Sequence, residues 1–149
     1  MENEEQNILV QRMMKLSRQG WKYAKDRLTH PKMPNMMYNL CVVVYLKPGI
    51  SQDGVSHDLQ TDKSSIAKVV SRAIQAGYLY REVNPQDHRE YRLYLTDQGT
   101  ECIREVLDDL EEWQNEVLKV LNERDRKKFR SLFDKVSASA ESLAGKEES

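Results

Sequence analysis

The stretch DKSSIAKVVSRAIQAG, YLYREV, NPQDHRE, YRLYLT, running from Asp62 to Thr96, decides how this chain is read. Ile66, Val69, Val70, Ala73 and Ile74 recur at i, i+3, i+4, i+7 and i+8, which predicts an amphipathic helix over about 63–76. Asp62 is placed to cap its free N–H groups, and Gly77 falls where a left-handed residue would end it. The other face carries Ser64, Ser65, Lys68, Ser71 and Arg72. Short hydroxyls and long cations are the side chains that reach phosphates and base edges in a major groove. From Leu79 the period becomes two. Leu79, Arg81 and Val83 fall on one side, and Tyr91, Leu93 and Leu95 repeat the pattern on the return. This predicts a β-hairpin over about 78–95, with a turn of several residues around Asn84-Pro85 and with His88 and Arg89 near its tip. A helix followed at once by such a hairpin predicts a winged helix.

Several short signatures occur in order along this region. Ser51-Gln52 opens a short helix, Asp62-Lys63-Ser64 opens the next, and Arg72 and Gly77 lie near its end. Asn84-Pro85-Gln86-Asp87-His88-Arg89 contains an Asp-x-Arg in the hairpin, and Leu95-Thr96 is followed by Gly99. This set resembles the winged helix-turn-helix of the MarR (multiple antibiotic resistance) regulator family. The resemblance implies a mainly α fold with a small β-hairpin wing and long N- and C-terminal dimerisation helices. It implies an N-terminal dimerisation helix in 1–32, a DNA-binding winged helix-turn-helix in 33–96 and C-terminal dimerisation helices in 97–144, all in one intertwined domain; the terminal GKEES, 145–149, reads by itself as a disordered tail. It further implies a homodimer on double-stranded DNA at a pseudo-palindromic operator, repression of transcription, and release by a small aromatic effector.

Composition sets the outer bounds. A chain of 149 residues, 39% hydrophobic and 32% charged, suits one helix-rich domain with a core of its own. No apolar run approaches the roughly 20 residues of a membrane span, and MENEEQN does not read as a signal peptide, so a cytoplasmic protein without a membrane partner is expected. The net charge of −1 hides an uneven distribution. Residues 62–96 hold six cations against four anions, whereas residues 97–116 hold eight acids against Arg104 alone. A basic region beside a strongly acidic one leaves tight DNA binding to specific contacts.

Taken in order, Leu9, Met13, Leu16, Tyr23 and Ala24 predict a helix over 5–29, weakened at Gly20. Its stripe suits a dimer contact or packing on its own domain. His30-Pro31 and Met33-Pro34 break the chain. Met36 to Leu46 is apolar on nearly all sides; its β-branched run favours a buried strand, while the resemblance implies a buried helix. Ser51 caps a short helix through Leu59, with Val55 and Leu59 inward and Gly54 expected to make it fray. Gln60-Thr61 is the turn of the helix-turn-helix. Thr96 caps a long helix whose stripe runs from Ile103 to Leu121, and Asn122 with Asp125 starts another, with Phe129, Leu132, Phe133, Val136, Ala140 and Leu143 in line. Two long helices with one apolar face each exceed what a small winged domain can cover, which argues for a second copy.

The candidate DNA-binding residues are therefore Ser64, Ser65, Lys68, Ser71 and Arg72 on the helix and Asp87, His88 and Arg89 on the wing. Each set has a plainer reading, as a solvated helix face and as a hairpin tip with a surface ion pair. Arg72 could also bridge to an acid. Met33, Met36, Met37 and Tyr38 could line an effector pocket or be core. His30, His57 and His88 share no metal-ligand spacing, and Cys41 and Cys102 form no Cys-x-x-Cys pair, so no metal, cofactor or disulfide framework is expected. No nucleophile-and-base set or phosphate loop stands out, so no enzyme is expected. Two other readings stay open: a protein-interaction module that never binds DNA, and a regulator without an effector.

Overall fold

The structure, a computed structural model, describes residues 8–30 and 33–147. The predicted start of the first helix at residues 5–7 lies outside them. The chain forms two compact units, residues 1–110 and 111–149. The elements are α1 (Leu9–Arg27), α2 (Asn35–Leu46), β1 (Ile50–Ser51), α3 (Gln52–Asp58), α4 (Lys63–Gln75), β2 (Leu79–Asn84), β3 (Asp87–Leu95), α5 (Asp97–Val117), a 3-10 turn (Leu118–Val120) and α6 (Glu123–Glu147). Among the described residues no helix is long and apolar enough to cross a membrane.

In the first unit one core joins α2, α3, α4, the sheet and the start of α5. Tyr38, Leu40, Cys41 and Val44 come from α2, Val55 from α3, and Ile66, Val70 and Ala73 from α4. Leu79, Leu93, Cys102, Ile103 and Val106 complete it, and each of these thirteen is at most 2% exposed. Removing a large aliphatic side chain from water contributes about 1.5–3 kcal/mol, enough to override local preference. This decides the ambiguous segment: Asn35–Leu46 is helical despite Val42-Val43-Val44, because burial on the core outweighs the modest β preference of those residues. Pro34 is its N-cap residue, and its carbonyl accepts from the N–H groups of Met37 and Tyr38.

The sheet has the order β1-β3-β2. Leu79 pairs with Leu95, Arg81 with Leu93 and Val83 with Tyr91, the alternation read from the sequence. Strand β1 was not foreseen. It exists because Gly49, at φ +84°, turns the chain after α2 so that its N–H meets the Leu93 carbonyl at 2.8 Å, and Ile50 then pairs with Leu93. The short strand also changes the reading of Gly54. A Cβ there would stand 2.8 Å from Ile50 Cγ1, so the glycine allows α3 to approach β1. Gly99 does the same where α5 passes the hairpin, since a Cβ would lie 2.1 Å from the Tyr78 carbonyl oxygen.

In the second unit Asn122 Oδ1 accepts the Asp125 N–H at 2.9 Å and starts α6, while Arg126 Nε donates to the Leu118 and Leu121 carbonyls. Helix α6 continues through Gly145 to Glu147, past the point where a disordered tail was expected, because Lys and Glu extend a helix readily. Residues 148 and 149 lie outside the described residues.

Candidate nucleic-acid interface

Helix α4 begins at Asp62, whose Oδ1 accepts the Ser65 N–H at 2.8 Å and the Ser64 hydroxyl at 2.7 Å. The hydroxyl of Ser64, the hydroxyl of Ser65 and the Ser65 N–H hold the Asp62 carboxyl well below the usual carboxylate range. The Ser64 proton is thus committed to the cap, and a negative charge already occupies the N-terminal anion position. At its other end the Gly77 N–H donates to the Ile74 carbonyl and the Tyr78 N–H to the Ala73 carbonyl, with Gly77 at φ +81°.

Ile66, Val70 and Ala73 bury one face of α4. Ser64, Lys68, Ser71 and Arg72 are exposed on the other, and Ser65 is half-buried at its edge. Neither Lys68 nor Arg72 forms an ion pair among the described residues, so the bridging alternative for Arg72 finds no partner acid. The neighbouring lysines are engaged in the frame. Lys63 Nζ meets Asp53 Oδ2 at 2.8 Å, tying α4 to α3, and Lys47 pairs with Asp58. The turn between these helices is closed by the Thr61 N–H on the Ser56 carbonyl, with Gln60 at φ +49° in the left-handed position a glycine usually takes.

The hairpin turn is tighter than expected. Only Pro85 and Gln86 lie between the strands, and Asp87, His88 and Arg89 belong to β3. The register is irregular there. Asn84 pairs with Asp87 and Val83 with Tyr91, so His88, Arg89 and Glu90 have no residue opposite them on β2. Asp87 Oδ1 accepts the backbone N–H of Arg89 at 3.0 Å, which settles its role as a backbone cap over a partner for the guanidinium. His88 and Arg89 are exposed. Nearer the core the Arg81 guanidinium lies over the Tyr91 ring at 4.4 Å, and Tyr80 stacks on Tyr94 at 5.5 Å.

Sequence reading missed Asn84 as more than a turn residue. It is 7% exposed, with its amide donating to Glu90 Oε2 at 2.7 Å and its Oδ1 accepting the Gln86 N–H at 3.0 Å. The Asn-Pro signal marked the turn, but nothing local marks a partner six residues on.

The four residues expected at an effector pocket lie in or beside the core of the first unit. Met33, Met37 and Tyr38 are buried and Met36 is half-buried. The Tyr38 hydroxyl accepts the Met33 N–H at 3.2 Å, and Lys25 lies over the Tyr38 and Trp21 rings. An open cleft of about 420 Å³ lies elsewhere, lined by Thr29, His30, Glu101, Arg104, Glu105, Asp108 and Asp109. There Glu105 accepts the Thr29 N–H at 2.6 Å and meets His30 Nε2 at 3.3 Å. Cys41 and Cys102 are fully buried free thiols, and burial pushes Cys41 up to about 12. No group of three metal-ligating side chains occurs among the described residues.

A capped helix packed against a shorter one, followed by a hairpin that joins the preceding β1 in a three-stranded sheet, defines a winged helix-turn-helix protein. No protein-family model matches the chain. A curated relative, the HTH-type transcriptional regulator BilQ of Clostridioides difficile (strain CD3), is 26% identical over 107 residues, 72% of each chain. The crystal structure of MarR superposes with a TM-score of 0.80 at 25% identity, covering 93% of this chain and 94% of that one. The Staphylococcus aureus MepR–DNA complex shares the fold with a TM-score of 0.67 at 18% identity, over 86% and 94%. The chain has a winged helix-turn-helix fold like that of MarR and is similar in sequence to HTH-type transcriptional regulators.

Proposed function

We propose that the chain is a non-enzymatic repressor that binds a pseudo-palindromic operator as a homodimer, with α4 in the major groove and the wing in the adjacent minor groove. The observation that carries this reading is the set of exposed cations without ion-pair partners among the described residues on the two elements concerned: Lys68 and Arg72 on α4 and Arg89 on the wing. Three acids of the same two elements, Asp62 at the cap of α4 and Asp87 and Glu90 on the wing, accept hydrogen bonds from donors of the chain itself. On α4, Lys68, Ser71 and Arg72 carry the major-groove contact, with Ser65 at its edge; Ser64 contributes through the cap. On the wing, Asp87 shapes the backbone that presents His88 and Arg89, and a guanidinium there suits a narrow minor groove.

Two-fold symmetry is supported by apolar faces left open in the single chain. Ile8, Leu9, Val10, Met14 and Leu16 at the start of α1, and Phe129, Leu132, Phe133, Val136 and Leu143 on α6, are 44–65% exposed. These are large side chains at helical spacing, and a second copy is the simplest cover. Release by a small molecule is part of the proposal, with Met33, Met36, Met37 and Tyr38 moving apart to admit it. Repeated selection of bound duplexes from a random pool, near physiological salt, tests the whole. An enriched inverted repeat with half-sites about 10 bp apart is expected. No enrichment from folded protein would favour a protein-interaction role.

A further inference from the structure

Among the described residues Asn84 is the one buried polar side chain, and it lies between two exposed runs at the tip of the hairpin. Residues 81–83 before it and 85–89 after it are all exposed. Such a tip has no apolar core of its own to hold it. Asn84 supplies the constraint instead, using both ends of one amide: Oδ1 takes the Gln86 N–H at the near side of the turn, and Nδ2 donates to Glu90 Oε2 at the far side. The segment between these contacts is the unpaired stretch of β3 that contains Arg89.

The contact to Glu90 also settles the electrostatics of the tip. Arg89 is flanked by two carboxylates within reach along the chain, and a carboxylate free to swing onto its guanidinium would neutralise the charge before any phosphate met it. Asp87 is held by the Arg89 backbone N–H and Glu90 by the Asn84 amide. Only an amide does both jobs at position 84, because a carboxylate would accept from Gln86 but repel Glu90.

We propose that Asn84 is a positioning residue for DNA binding: its amide locks the wing tip and holds Glu90 away from Arg89, so that the guanidinium is presented to DNA already oriented and unpaired. This rests on the wing's role in the proposed function. A bound side chain ordered in advance loses less entropy on association, so the gain appears as affinity.

The test is a double-mutant cycle with full-length protein, Asn84→Ala and Arg89→Ala singly and together, titrated with the pool-selected duplex and with a scrambled one. Asn84→Asp, which keeps the size and the Gln86 contact, serves beside Asn84→Ala in case the latter disturbs the hairpin. Loss of one hydrogen bond's worth of order corresponds to about three- to tenfold weaker binding. That loss is expected for both Asn84 variants in the wild-type background and is expected to vanish once Arg89 is alanine. Faster amide hydrogen exchange at Gln86 in DNA-free Asn84→Ala is expected to accompany it. Equal losses in both backgrounds, or no loss, overturn the positioning role while leaving DNA binding intact. An Arg89→Ala variant that binds as tightly as wild type overturns this proposal and the wing's DNA contact together.

Discussion

Asp62 shows how much of this site depends on single residues outside the groove-facing set. Its carboxylate caps α4 through Ser65 and holds the Ser64 hydroxyl, and these bonds lower its pKa in the folded chain. A folded pKa below the unfolded value, about 4, means that the stabilisation is present above that value and is lost as pH falls through the folded one. Asn caps a helix about as well as Asp but does not titrate. The stability difference between wild type and Asp62→Asn, from urea melts, is therefore expected to be constant from neutral pH to about 5 and to shift against wild type below about 4. A difference that stays constant down to pH 2 would show that the cap does not prefer the ionised form. The cap was legible because Asp followed by Lys-Ser-Ser before an apolar stripe is a purely local pattern. The Asn84–Glu90 contact was not, since it depends on a register irregularity that alternation alone does not predict.

At the scale of elements, α3 is the instructive case. Read as sequence, Gly54 is a weak point, and an alanine there should gain about 1 kcal/mol of helix propensity. The structure opposes this, because the new Cβ would press on Ile50 Cγ1 at 2.8 Å where β1 meets the helix. Overpacking costs about 1–3 kcal/mol, so Gly54→Ala is expected to be net destabilising, with a lower urea midpoint and an unchanged slope. A raised midpoint would mean that Ile50 moves aside cheaply and that the glycine is only a flexible joint. Helices α4, α5 and α6 were legible from their stripes and caps. Helix α2 was not, because a segment apolar on every side has no period, and its β-branched residues point the wrong way. A two-residue strand such as β1 carries no periodicity either; it forms because Gly49 delivers the chain to β3.

For the whole molecule the open question is what covers the apolar faces of α1 and α6. If a second copy does, light scattering at micromolar concentration gives twice the chain mass. Phe133→Glu places a charge in the middle of the α6 stripe, where the Phe133 ring lies tilted against Phe129 at 6.2 Å, and is expected to give single-chain mass and lose operator binding while the winged unit keeps its fold. A Phe133→Glu protein that remains dimeric would remove α6 from the interface. By itself the sequence determined the winged helix, its caps, the cations on α4 and the excess of apolar helix surface, because each is written in spacings of a few residues. Only the tertiary structure decided that the β-branched segment is a helix, that Gly54 and Gly99 stand where backbones and side chains nearly touch, and that Asp87 and Glu90 of the wing are held by donors of the hairpin itself. Those outcomes depend on contacts between residues distant in the chain or out of regular register, and no local pattern encodes which side chain a neighbour will meet.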